Sequence, residues 1–131
     1  MASMIEVRNL TKQYDSKRPP AVDNISYDVQ AGELFSLLGP NGAGKSTTIG
    51  MLCGLIRPTS GEAMIGSHSI RTATLAAKRL IGIVPQEIAL YPSLSARQNL
   101  HFWGQMYDMQ GKTLRNRVEE VLEQIGLRAR R

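Results

Sequence analysis

The sequence predicts an α/β fold in which a strand–loop–helix unit stands between a small antiparallel sheet and a helical pair. Three observations carry this reading. Leu34–Leu38 is a nearly continuous apolar run, the pattern of a strand buried on both faces in a parallel sheet. A glycine-rich loop, Gly39–Thr47, follows it at once. Behind the loop, Ile49, Leu52, Cys53 and Ile56 recur at helical spacing until Arg57-Pro58-Thr59-Ser60-Gly61 stops the helix.

The remaining elements follow in chain order. Met4–Arg8 and Ile25–Val29 alternate apolar and polar residues, as half-buried strands of an antiparallel sheet with one wet face. Between them lies a polar, proline-punctuated loop over residues 15–20, and Gln30-Ala31-Gly32-Glu33 reads as a tight turn. Glu62–Ile65 is a short strand and Leu75–Leu80 a helix; Ile81–Val84 is a further apolar strand ended by Pro85. Ser95-Ala96-Arg97-Gln98 matches a capping box, after which Ala96, Leu100, Trp103 and Tyr107 share one helical face. A last helix carries Leu114, Val118, Val121, Leu122 and Ile125 and closes at Gly126.

Bulk properties narrow the classes. The chain has 131 residues, enough for one core and too few for two. With 42% hydrophobic and 21% charged residues it has the composition of a globular domain. No apolar run approaches the ~18 residues that span a bilayer, and Met1–Glu6 lacks the pattern of a signal peptide, which places the chain in the cytosol. The one cysteine, Cys53, excludes an internal disulfide and reads as a small buried hydrophobe on the helix. Of the net charge of +5, the larger part comes from residues 112–131, with six Lys/Arg against three Glu. The cluster Arg128-Ala129-Arg130-Arg131 has no aromatic interleaving and reads as a solvated stretch, so no nucleic-acid partner is expected.

The chemistry resides in the loop. Gly39-x-x-x-x-Gly44-Lys45-Ser46 matches the P-loop pattern. Its glycines admit positive φ and let backbone N–H groups of Gly39, Pro40–Gly44 and Lys45–Thr47 surround phosphate oxygens, proline excepted. The N-terminus of the following helix favours the same polyanion. Lys45 is placed to reach the β- and γ-phosphates, and the Ser46 hydroxyl suits Mg²⁺. The fold class is therefore an α/β P-loop NTPase that binds a nucleoside triphosphate, MgATP above all.

The longer string Leu38-Gly39-Pro40-Asn41-Gly42-Ala43-Gly44-Lys45-Ser46-Thr47-Thr48 resembles the ATP-binding subunit of ABC transporters. Tyr14 stands where that family places its adenine-stacking aromatic, and Gly54–Glu62 matches the segment after the P-loop helix. Ile83-Val84-Pro85-Gln86-Glu87 resembles the Q-loop; the resemblance gives Gln86 a role beside Mg²⁺ and the γ-phosphate. Leu90–Leu100 is similar to the start of the helical subdomain that docks on a membrane subunit. Ser46-Thr47-Thr48, Met51–Leu55 and Leu90-Tyr91 are most similar to ABC-2-type exporters, drug-resistance ATPases included.

The resemblance implies a partial ATP-binding domain over 1–131: an antiparallel part (1–33), a P-loop core to the Q-loop (34–86) and the start of a helical subdomain (87–131). It further implies a transmembrane permease and a second ATP-binding protomer as partners, and a place at the inner face of the membrane. Several family features are not found: an apolar strand ending in Asp-Glu, the Leu-Ser-Gly-Gly signature and a later switch histidine, since His68 and His101 come too early. The chain therefore reads as an N-terminal portion, weak in nucleotide binding and without efficient turnover by itself. A soluble ABC ATPase of DNA repair or translation and a binding-only fragment are the alternative readings.

Overall fold

The computed structural model describes residues 3–127, so the basic cluster Arg128–Arg131 lies outside the described residues. The chain divides into two compact units, residues 1–84 and 85–131.

The first unit is built on a four-stranded antiparallel sheet of order β2-β1-β3-β4, with β1 over Ser3–Lys12, β2 over Val22–Gln30, β3 over Ser60–Ile65 and β4 over His68–Ser69. The alternation in the first two strands predicts this pairing, and Ile5, Glu6 and Val7 stand opposite Val29, Asp28 and Tyr27. On its other edge β1 pairs Val7 with Ala63 and Arg8 with Glu62. Both ladders shift register around Asn9, between Val7 and Leu10 against β2 and between Arg8 and Thr11 against β3. The shift has a local cause. Asn9 takes φ of 50°, its N–H donates to Ser26 Oγ at 2.8 Å and its side-chain amide donates to Asn24 Oδ1 at 2.8 Å. Such a bulge inserts one residue, so Val7 and Leu10 both point inward although three positions apart.

One sheet face carries the core. Val7, Leu10, Val22, Ala63 and Ile65 pack with Met51 of α1 (Lys45–Leu52), with Ile70, and with Ala77 of α2 (Thr74–Arg79). The helix behind the loop is shorter than its apolar spacing predicts. It ends at Leu52 because Gly54, at φ 65°, closes it: the Gly54 N–H donates to Met51 O and the Leu55 N–H to Gly50 O. Its buried face is also different. Thr48, Gly50 and Met51 are buried while Ile49 is exposed, and Cys53 is a half-buried capping residue rather than a helical one. Burial pushes the Cys53 thiol up, against an opposing pull from Lys78.

Two predicted strands are corrected. Leu34–Leu38 and Ile81–Val84 are irregular, with Leu34 97%, Leu38 91% and Val84 96% exposed. The sheet of the described residues is antiparallel throughout, so these apolar runs lie beside no parallel neighbour there. An extended backbone becomes a strand only through ladder bonds to a neighbour, and apolar content does not supply them. Phe35 finds a local partner instead, stacking on Tyr27 at 4.9 Å between centroids.

The second unit is a pair of helices, α3 (Ala96–Met106) and α4 (Gly111–Gln124). The capping box forms as predicted: the Gln98 N–H donates to Ser95 Oγ, and the Ser95 N–H to Gln98 Oε1. Leu114, Val118 and Leu122 form the buried stripe of α4, with Leu100 and Met109 packed on it, while Ile125 is exposed. Gly126, at φ 69°, ends α4, and the Leu127 N–H donates to Leu122 O. Arg97 and Glu119 pair between the two helices.

Asn99 is buried in this unit and orders the segment before α3. Its amide donates to the carbonyls of Tyr91, Leu94 and Ser95, and its Oδ1 accepts from the Tyr91 N–H. Asn99→Ala is expected to leave the Tyr91 amide and carbonyl without this partner and to cost about 1–3 kcal/mol. Faster hydrogen exchange over residues 91–95 checks it, with the α4 amides near Val118 as the internal reference.

Candidate functional site: the loop before α1

The glycine-rich loop leads directly into the N-terminus of α1. Gly42 and Gly44 take φ of 87° and 84°, conformations that side chains disfavour, and Gly44 is the capping residue of α1. The Ala43 N–H donates to Pro40 O at 3.2 Å, which tightens the loop. Thr48 then ties the first helical turn to the loop: its N–H and its hydroxyl both donate to Gly44 O, at 2.8 and 2.9 Å. Lys45 Nζ is folded over the loop and donates to Gly39 O at 2.5 Å and Pro40 O at 2.7 Å. The ammonium is thus held among the peptide groups of the loop, where a phosphate chain would meet it.

Gly44 has a second reason to be glycine. A Cβ there would lie 2.3 Å from Ala21 O and 3.0 Å from Val22 Cγ2. The arm leading into β2 therefore backs directly onto the loop, and the bare glycine is what allows the approach. Pro20, Ala21, Val22 and Asp23 from that arm, Gly42, Ala43, Lys45 and Thr48 line one cleft of about 380 Å³. Ser46 is exposed and lines a neighbouring cleft with Tyr27, Phe35, Lys45 and Ile49.

Tyr14 stands just past β1 on the connection that returns through Pro20 and Ala21, 65% exposed and outside the lining of the loop cleft. Lys12 Nζ sits 4.9 Å from the centre of its ring. The loop residues Gly39–Thr47 and Tyr14 belong to the first unit; Gln86 belongs to the second, in the exposed segment after Pro85. His68 is half-buried in β4 and His101 half-buried in α3.

Sequence reading missed two contributors. Ala21 fixes why Gly44 must lack a Cβ, and that contact spans 23 positions, beyond any local signal. Lys12 had a usable signal: residues two apart on an extended segment share a face, which puts Lys12 beside Tyr14. Among the described residues no group of three or more His, Cys, Asp or Glu gathers to hold a metal. No helix of the described residues is long and apolar enough to cross a membrane.

A glycine-rich loop capping a helix, beside an antiparallel sheet and followed in the chain by a helical pair, is the arrangement of an ABC-type P-loop ATPase fold. The family model described as ABC transporter matches residues 22–131, and the chain belongs to that family. It is 50% identical over 127 residues to the linearmycin resistance ATP-binding protein LnrL of Bacillus subtilis, covering 97% of this chain and 40% of that protein. It is 35% identical to the doxorubicin resistance ATP-binding protein DrrA of Mycobacterium tuberculosis, covering 94% of this chain and 37% of the relative. Among solved structures, cbiO1 of Clostridium perfringens, part of the ABC transporter complex cbiONQ, superposes with a TM-score of 0.80 at 28% identity. That match covers 97% of this chain and 52% of the other. The chain thus spans less than half the length of the curated relatives named here.

Proposed function

We propose that the chain binds ATP through Gly39–Thr47, as the nucleotide-binding part of an ABC-type exporter. The observation that carries this is the loop itself: positive-φ glycines at 42 and 44, the α1 N-terminus behind them, and Lys45 Nζ held at the loop carbonyls. Peptide N–H groups, a helix N-terminus and one ammonium are the donor set that a triphosphate requires. The exporter reading rests on relatives whose names refer to linearmycin and doxorubicin resistance.

The residues present fit Mg²⁺ as the companion ion. Mg²⁺ keeps several waters and binds through few protein ligands together with phosphates, so the single exposed Ser46 hydroxyl suffices on this unit. Tyr14 is the candidate adenine platform. When bound, the ion neutralises charge on the phosphate oxygens. Lys45 would hold the phosphates and Ser46 would orient the ion. A permease, a second ATP-binding protomer and a place at the inner membrane face complete the proposal.

Titration calorimetry with ATP tests the reading. Mg²⁺ is expected to strengthen binding, and Ser46→Ala to remove most of that gain while binding of metal-free ATP persists. Equal affinity with and without Mg²⁺ in the unaltered chain would sink the metal assignment; no ATP binding would sink the whole reading.

A further inference from the structure

We propose that Lys12 is a positioning residue for Tyr14, pinning its ring so that one face is covered by the Lys12 ammonium and the other is presented to an adenine base. The inference rests on the reading of Tyr14 as the adenine platform and adds the group that holds it there.

Lys12 joins three segments, two through its side chain and one through its backbone carbonyl. Nζ stands 4.9 Å from the Tyr14 ring centre, within the range of a cation–π contact. The same Nζ donates to Arg57 O at 2.8 Å, on the segment that follows α1. The Lys12 carbonyl accepts from the Ala21 N–H at 2.8 Å, and the Ala21 carbonyl is the atom that a Cβ on Gly44 would meet at 2.3 Å. The ammonium over Tyr14 is therefore anchored to the segment after the loop helix, and its backbone to the arm that backs the phosphate loop.

Neighbouring bonds brace the same junction. The Thr59 N–H donates to Thr11 O at 2.9 Å, and the Gln13 N–H donates to Thr59 Oγ1 at 3.0 Å. Tyr14, by contrast, is 65% exposed, with the Lys12 ammonium over its ring. A long aromatic side chain free to sample rotamers loses entropy when a base stacks on it; one already oriented loses less. A cation on the far face also polarises the ring without competing for the open one.

The test compares ATP with inorganic tripolyphosphate, which has the phosphate chain and no base, by calorimetry on the full chain. Lys12→Met is expected to weaken ATP about three- to fivefold and leave tripolyphosphate unchanged, with Lys12→Arg restoring ATP affinity. In the Lys12→Met/Tyr14→Ala double variant, ATP affinity should equal that of Tyr14→Ala alone. Retained tripolyphosphate binding shows that the variant is folded. If ATP and tripolyphosphate weaken together, Lys12 acts as a general charge or a structural tie, and the inference is overturned. If Tyr14→Ala weakens ATP alone but Lys12→Met does not, the inference fails and the Tyr14 reading stands. If Tyr14→Ala leaves the ratio of the two affinities unchanged, the Tyr14 reading fails and the inference with it.

Discussion

Lys45→Ala is expected to weaken ATP binding by about ten- to a hundredfold, the consequence of losing one charge-assisted hydrogen-bonding partner worth about 1.5–3 kcal/mol. The geometry explains why no neighbour replaces it. Nζ lies within 2.5 and 2.7 Å of the Gly39 and Pro40 carbonyls, so the ammonium is already at the loop before a phosphate arrives. Lys12, the other ammonium named near the site, is committed to Arg57 O and the Tyr14 ring. Lys45→Arg should recover little, because a planar guanidinium is longer and cannot occupy the compact position of an ammonium. Calorimetric affinities for ATP and tripolyphosphate should fall together, which separates this loss from that of Lys12→Met. Lys45→Ala binding ATP as tightly as the unaltered chain would overturn the assignment of the loop.

The largest expected loss of stability comes from Gly61→Val. Gly61 takes φ of 79°, and a Cβ there would lie 2.1 Å from Asn9 O and 2.5 Å from Asn9 C. Both atoms are backbone, so no side chain can swing aside. The clash falls where β1 shifts register against β3, at the bulge that turns Val7 and Leu10 to the same core. A non-glycine residue in this conformation costs about 1–3 kcal/mol by itself, and displacement of the central strand adds to that. We expect a total loss of at least about 3 kcal/mol, read as a lower urea midpoint. Gly32→Ala is the control. Its φ of 80° imposes similar strain, but its Cβ would meet nothing within 4 Å. Equal losses for the two substitutions would show that strain, and not the contact with Asn9, sets the cost.

Much of the site was legible because its determinants are local. The spacing from Gly39 to Ser46 specifies positive-φ positions, a helix start and a lysine within reach of the loop, all inside ten residues. The Ser95/Gln98 box and Gly126 were readable for the same reason: a cap is a bond between residues three to five apart. The helix behind the loop shows where local pattern misleads. Ile49 fits the apolar periodicity yet is exposed, while Thr48 is buried because its hydroxyl is satisfied by Gly44 O. A polar residue can enter a core when its hydrogen bond is made, and residue type alone does not reveal that.

The sequence by itself determined the glycine-rich turn before α1, the alternating strands of the antiparallel sheet and the caps of the last two helices, because turn chemistry and side-chain period act over a few residues. Only the tertiary structure decided three other matters. Asn9 and Asn24 build a bulge that brings Val7 and Leu10 to one face. Ala21 backs Gly44 so closely that the loop needs glycine there for contact as well as for φ. Leu34–Leu38, apolar enough to read as a buried strand, stays irregular among the described residues because a strand exists only with a neighbour to bond. In the first two cases the deciding partner is distant in the chain, and in the third no strand neighbour stands among the described residues.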